Sequence, residues 1–139
     1  MVGILLLSHG KMAEGLSDTV SMFFGNEIER FAYLCLKMED DPDAFGSLIK
    51  EKLEELNDGD GVLVFCDLFA GTPTHQMTQF LSDKVRVITG MNLPLVMETL
   101  GNRLSDNGND IDTLIETGRA GIQEWKPADT EQNDEDFFI

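Results

Sequence analysis

The first ten residues, MVGILLLSHG, decide the fold of this chain. Residues 1–7 are apolar without a polar face at helical spacing, and Ser8-His9-Gly10 ends the run abruptly. A short continuous apolar run that stops at a glycine turn is typical of a buried parallel strand. Because open α/β sheets bind ligands outside the carboxyl ends of their strands, His9 stands where such folds carry out chemistry. Taken alone, however, His9 is better explained as a residue that merely caps a strand.

Three further apolar runs alternate with helical patterns along the chain. The predicted strands are residues 1–7, 31–36, 61–66 and 84–89. The predicted helices are 13–24, 42–56, a helix from Pro73 to about 81, one from about Pro94 to 104, and 110–120. Residues 121–126 are read as a final short strand or a frayed helix end. Strands alternating with helices predict an α/β fold with a doubly wound, mostly parallel four-stranded sheet and helices on both faces.

Length and charge narrow the classes of function. The 139 residues fit one domain, which we predict to span 1–128, with an acidic tail at 129–139 that we expect to be disordered. The formal net charge of −16 excludes a nucleic-acid binder, which needs a basic patch, and gives no attraction to an anionic membrane. A basic protein partner fits better, because opposite charge speeds encounter, although acidity also serves solubility alone.

The cysteines and the apolar runs indicate a cytoplasmic location. Cys35 and Cys66 both stand in predicted strands and form no CxxC pair, so free thiols in a reducing compartment are favoured over a disulfide between neighbouring strands. The first apolar run lacks a basic flank and is too short to cross a bilayer. We therefore predict neither a signal peptide nor membrane insertion.

The residues that follow two of the predicted strands form a candidate site. His9 follows the first strand and Asp67 the third, and these strands are commonly neighbours in a doubly wound sheet. A carboxylate that binds one imidazole nitrogen fixes the tautomer and leaves the other nitrogen as a nucleophile. Gly71-Thr72-Pro73 opens the next helix, with Thr72 as its predicted cap and Pro73 at its first position, so free N–H groups form an anion site. Turn formation and helix capping explain these residues singly, whereas the combination indicates phosphoryl transfer.

Other chemistries find little support in the sequence. There is no Walker phosphate loop, no Gly-x-Gly-x-x-Gly and no Gly-x-Ser-x-Gly motif. His75 together with His9 and Asp67 offers a conceivable ligand set, but the separations match no known metal motif. We therefore predict no metal and no cofactor, and a metal-dependent hydrolase is the least favoured alternative.

Four segments occur in order along the chain: ILLLSHG (4–10), VFCDLFAGTP (64–73), GMNLPLVMETL (90–100) and ETGRAG (116–121). Together they resemble the IIA component (EIIA) of the mannose-family sugar phosphotransferase system of bacteria. The resemblance covers residues 1–126. The phosphotransfer subunit of dihydroxyacetone kinase also opens with a strand and a histidine, but it lacks the second and third segments.

The resemblance implies a phosphocarrier role. His9 matches the histidine that accepts a phosphoryl group from the histidine-containing phosphocarrier protein (HPr). That histidine passes the group to the IIB component, which phosphorylates the sugar at the IIC/IID membrane permease. Asp67 matches the orienting aspartate, and Thr72 matches a serine or threonine near the phosphate. Backbone N–H groups around Gly71 and Thr72 are expected to bind the phosphoryl oxygens, with the group itself on Nε2 of His9.

The resemblance further implies a homodimer whose antiparallel edge strand comes from the partner, and we place that strand at 121–126. Two departures stand out. Ala70 replaces a glycine found in many relatives, which is tolerable unless the position needs a positive φ. His75 replaces a frequent asparagine. The alternative function is a regulatory protein-binding module of the same fold without turnover.

Overall fold

The computed structural model describes residues 1–127 of the chain, and within them it contains four strands and five α-helices. The strands are β1 (Gly3–His9), β2 (Phe31–Leu36), β3 (Val62–Cys66) and β4 (Val85–Thr89). The helices are α1 (Met12–Phe24), α2 (Pro42–Leu56), α3 (Thr72–Met77), α4 (Leu93–Leu104) and α5 (Ile111–Ala120), and a short 3-10 turn, Thr78–Phe80, continues α3.

The four strands form one parallel sheet in the order β2-β1-β3-β4. The chain therefore starts in the middle of the sheet, builds one side with β2, and crosses over to build the other side with β3 and β4. This reversal leaves a crevice between the carboxyl ends of β1 and β3, which is where open α/β sheets bind their ligands. The predicted α/β fold with a four-stranded parallel sheet is confirmed.

The central strand β1 is buried on both faces. Ile4 and Leu6 point into one apolar layer, formed with α1, α4 and α5, while Leu5 and Leu7 point into the other, formed with α2 and α3. All four leucine and isoleucine side chains are completely buried. A strand covered on both sides has no solvent face to keep polar, which explains why its sequence is continuously apolar instead of alternating.

Most helices begin at side-chain caps that the sequence reveals. Asp41 accepts a hydrogen bond from the Ala44 N–H at 3.0 Å, and Asp110 accepts one from the Thr113 N–H at 3.1 Å. Asn92 caps α4 in the same way, and its amide also donates to the Gly118 carbonyl, which ties α4 to α5. The role of Asn92 is therefore structural.

The predicted cap at Thr72 is wrong. Gly71 occupies the N-cap position of α3, Thr72 is already the first helical residue, and Pro73 is the second. The Thr72 hydroxyl consequently lies one position too far along the chain to act as the cap. Helix α3 also ends at Met77, earlier than predicted, because the chain then tightens into the 3-10 turn.

Residues 121–126 form no strand within the part of the chain that the structure describes. The Gly121 N–H ends α5 by donating to the carbonyls of Thr117 and Gly118. An exchanged strand would come from a second copy, so that prediction is untested by a single chain. The predicted acidic tail at 129–139 lies outside the described residues.

The free state of both cysteines is confirmed, and β1 separates the strands that carry Cys35 and Cys66. Within residues 1–127, none of the helices combines the length and the apolar character that a membrane span requires.

Candidate functional site

The crevice between β1 and β3 holds the two residues that the sequence singles out. His9 is the last residue of β1, and Asp67 directly follows β3. Leu7 pairs with Cys66 in the parallel register, so the next residues of both strands emerge at the same edge. The His9 side chain is 42% exposed and the Asp67 side chain only 10%. The site thus presents its imidazole to solvent and keeps its carboxylate inside.

Asp67 fixes His9 through two contacts from one oxygen. Its Oδ2 accepts a hydrogen bond from the His9 backbone N–H at 2.8 Å and lies 2.9 Å from the His9 Nδ1. Its Oδ1 accepts a hydrogen bond from the Leu68 N–H at 2.9 Å. Sequence reasoning predicted the ring contact but missed both backbone contacts, because residue types do not reveal which amide a carboxylate will meet.

The electrostatics of Asp67 determine the tautomer of His9. Burial raises the pKa of Asp67, but hydrogen bonds from the His9 N–H, the His9 ring and the Leu68 N–H together bring it below its ordinary value. The carboxylate is therefore charged at neutral pH and can only accept a hydrogen bond. In a neutral imidazole the proton then resides on Nδ1, and Nε2 carries the free lone pair.

Gly71 lies against the Nε2 side of the His9 ring. A Cβ at this position would be 2.8 Å from Cε1 and 2.9 Å from Nε2 of His9, closer than real Cβ contacts occur. Gly71 also has φ +115°, a conformation that residues with a side chain rarely adopt. Neighbouring Ala70 is not in this region, since the non-glycine residues with positive φ in the described chain are Arg30 and Asp106.

The turn before α3 offers hydrogen-bond donors next to Nε2. Within residues 1–127, the backbone N–H groups of Gly71 and Thr72 have no hydrogen-bond partner. Gly71 is exposed and Thr72 is half-buried. Two unsatisfied amides beside a nucleophilic nitrogen are suited to bind an anion that approaches that nitrogen.

Two hydroxyl groups support the turns that carry the site, and sequence reasoning missed both. The fully buried Ser8 hydroxyl accepts from the Ala13 N–H at 2.8 Å and donates to the Gly10 carbonyl at 3.0 Å, so it ties down the turn after His9. A serine shortly before a helix is a recognisable capping signal. The Thr74 hydroxyl donates to the Leu68 carbonyl at 2.6 Å, which no sequence pattern indicated.

Exposed apolar side chains follow three of the strands close to their carboxyl ends. Leu68 and Phe69 follow Asp67 and are exposed, Phe69 by 86%. Met12 follows β1 and Met38 follows β2, and both are exposed as well. Other exposed apolar side chains lie elsewhere on the surface, Met22 and Leu104 among them, so these four are distinguished by their positions after the strands. We call these four residues the apolar rim.

His75 does not join a metal site. It is exposed on α3, and its N–H donates to the Gly71 carbonyl. Within the described residues, His, Cys, Asp and Glu side chains form no group of three that could hold a metal ion. The metal-dependent alternative therefore has no ligand set in this part of the chain.

Comparison with known proteins gives the family. A sequence model of the EIIA-man family, described as "PTS system fructose IIA component", matches residues 3–116. The chain is 28% identical over 135 residues to the mannose-specific EIIAB component of the PTS from Escherichia coli K12, a match that covers 94% of this chain and 42% of that protein. The chain thus spans about two fifths of that relative's length.

Two shorter relatives match over more of their own length. The PTS fructose-specific EIIA component of Bacillus subtilis is 27% identical over 105 residues, covering 74% of this chain and 71% of that one. The PTS IIA protein associated with the fucose utilization operon of Streptococcus pneumoniae superimposes with a TM-score of 0.80 at 28% identity, covering 96% of this chain and all of that one. Because the family model covers most of its length, the chain belongs to the EIIA-man family of phosphotransferase system IIA components.

Proposed function

We propose that this chain is a phosphocarrier of bacterial sugar uptake in the cytoplasm. His9 accepts a phosphoryl group from HPr and passes it to a histidine of the IIB component, which phosphorylates the sugar at the IIC/IID permease. The observation that carries the proposal is the arrangement of His9 between Asp67 on its Nδ1 side and Gly71 on its Nε2 side. Family membership supports the same role.

The transfer step uses the lone pair of Nε2. The neutral His9 ring attacks the phosphorus atom of the carrier's phosphohistidine in line. The new Nε2–P bond forms as the carrier's N–P bond breaks, and the carrier's imidazole recovers its lone pair. The phosphorylated His9 ring keeps its proton on Nδ1 and bears a positive charge, which the Asp67 carboxylate stabilises at 2.9 Å. Donor and acceptor are both histidines, so the chemistry needs no metal and is close to reversible.

The amides of Gly71 and Thr72 bind the equatorial oxygens in this scheme. Both N–H groups lack a partner within residues 1–127 and belong to the turn that lies against Nε2. Donors that are already oriented need no rearrangement as charge develops on the oxygens. The half-buried side chain of Thr72 belongs to the same turn.

The apolar rim is the surface on which HPr and IIB dock in this proposal. The net charge of −16 favours basic partners, because opposite charges steer the encounter. A regulatory protein-binding module without turnover would use the same rim. The two functions differ in whether His9 becomes phosphorylated, which the first experiment below measures.

We further propose a homodimer formed through the edge of β4. On the outer side of β4, a groove of about 380 Å³ is lined by residues that include Thr89, Ile115 and Ile122. Ile122 is 81% exposed and Trp125 is 70% exposed on the segment that follows α5. An open sheet edge beside exposed apolar side chains favours pairing with another strand, here residues 121–126 of a second copy.

Phosphorylation from a reconstituted chain tests the proposed function directly. Phosphoenolpyruvate, the first enzyme of the system and HPr should place acid-labile, alkali-stable phosphate on His9, and His9→Ala should remove the label. His75→Asn is the matched control and should keep it. If His9→Ala is labelled as wild type is, the proposal is wrong. An unlabelled wild type that still binds HPr would favour the regulatory module.

Replacing Asp67 with asparagine tests its orienting role. The amide no longer holds the proton on Nδ1 by charge, so phosphoryl transfer should slow by about 100-fold or more.

The folded state lowers the pKa of Asp67, so its charge stabilises the fold above the ordinary pKa of 3.8, and this contribution disappears as the pH falls below that value. In urea titrations the stability gap between wild type and Asp67→Asn should therefore shrink from pH 7 to pH values below 3.8. An unchanged rate of phosphoryl transfer in Asp67→Asn would show that Asp67 does not orient His9.

Gly71→Ala tests the fit between the turn and the imidazole. The added methyl group would collide with Cε1 and Nε2 of His9, so transfer should fall by at least tenfold, about 1.4 kcal/mol of barrier. Gly59 has a similar φ of +112° but no atom near the position of its Cβ. Gly59→Ala should therefore place an alanine at a similarly unfavourable φ and still transfer at the wild-type rate. Equal transfer rates in Gly71→Ala and Gly59→Ala would contradict the close fit between Gly71 and the His9 ring.

Sedimentation tests the dimer. Ile122→Asp puts a charge into the proposed strand and should shift the protein from dimer to monomer at micromolar concentration. Leu104→Asp is the control, because Leu104 is similarly exposed but lies at the end of α4 beside Met1 and Glu29, outside the groove that Ile122 lines. A monomeric wild type, or a dimer that survives Ile122→Asp, would refute this interface.

A further inference from the structure

Thr74 holds the residue that directly follows Asp67. It is the third residue of α3, and its hydroxyl donates to the Leu68 carbonyl at 2.6 Å, six residues back along the chain. Leu68 in turn donates its N–H to Oδ1 of Asp67 at 2.9 Å. The residue after Asp67 is thus held at both of its backbone polar groups.

The residue before Asp67 is fixed by burial. The Cys66 side chain is completely buried at the end of β3. Burial raises the pKa of this thiol to about 11. Asp67 therefore stands between a buried strand residue and Leu68, whose carbonyl accepts the Thr74 hydroxyl.

We propose that Thr74 is a positioning residue for phosphoryl transfer, because its hydroxyl holds Leu68, Leu68 donates to Asp67, and Asp67 orients the His9 ring. The inference rests on the proposed function. It also involves Gly71, since the segment between Leu68 and Thr74 includes the glycine that lies against Nε2. Removing the hydroxyl leaves the Leu68 carbonyl without its donor, so Asp67 and Gly71 can both shift relative to the imidazole.

A shift of Asp67 or Gly71 relative to the imidazole should slow phosphoryl transfer and leave the docking of HPr unchanged. The apolar rim is exposed, and the side chain of Thr74 is half-buried below it. Small displacements between a nucleophile and its orienting groups reduce the rate even when binding is unchanged. A residue that only stabilised the fold would change neither the rate per folded molecule nor the state of the His9 ring.

The test compares Thr74→Val, which removes the hydroxyl at constant shape, with Thr74→Ser, which retains it. Transfer from phosphorylated HPr to His9 is measured as kcat and KM. We expect Thr74→Val to lower kcat about tenfold with KM changed less than about twofold, and Thr74→Ser to remain within about threefold of wild type. The matched control is Thr99→Val, because Thr99 likewise donates its hydroxyl to a backbone carbonyl, that of Leu95 at 2.9 Å, but inside α4. Thr99→Val should lose stability and keep the wild-type kcat.

A second readout does not depend on turnover. Nitrogen-15 NMR of the His9 ring reports which nitrogen carries the proton, and His75 is the only other histidine to assign. We expect a single Nδ1–H form in wild type and Thr74→Ser, and a mixture of tautomers in Thr74→Val. If wild type accepts no phosphate, the proposed function fails, and this spectrum alone decides the positioning role. An unchanged ring spectrum in Thr74→Val, or an equal loss of kcat in Thr99→Val, would overturn the inference.

Discussion

A single carboxylate oxygen, Oδ2 of Asp67, joins the two central strands of the sheet at the site. It accepts the backbone N–H of His9 and contacts the ring of the same residue. The first contact fixes where β1 ends, and the second fixes how the imidazole is turned. Both depend on the parallel register of β1 and β3, which in turn depends on strands buried on both faces. The apolar core and the reactive nitrogen are therefore parts of one arrangement.

The sequence predicts the sheet well because the apolar runs that form its strands are continuous. Leu5 and Leu6 point into opposite layers, so the strand has to be apolar at every position, and no helix pattern competes with it. The same reasoning places His9 and Asp67 at one edge, since consecutive buried strands of this kind end on the same side. The predicted boundaries of β2 and of α2 agree with the structure for the same reason.

The features that the sequence could not predict depend on the path that the loops take. Thr72 fails as a cap because the chain enters α3 one residue earlier than a threonine-proline pair suggests. The contact of Thr74 arises from a hydroxyl that reaches a carbonyl six residues back along the chain, a separation that carries no periodic signal. The collision that a side chain at Gly71 would make with His9 is also invisible before folding, because it joins positions 62 residues apart on different strands' exits.

Gly71 limits which substitutions this site can accept during evolution. Two independent requirements meet at that position, a backbone conformation that favours glycine and the space that the imidazole occupies. A compensating substitution elsewhere can relieve one of them but not both. Leu68 and Phe69, a few residues earlier, are under neither constraint and face solvent. Substitutions at Leu68 and Phe69 can therefore change the exposed surface of this loop while the packing of Gly71 against the imidazole stays fixed.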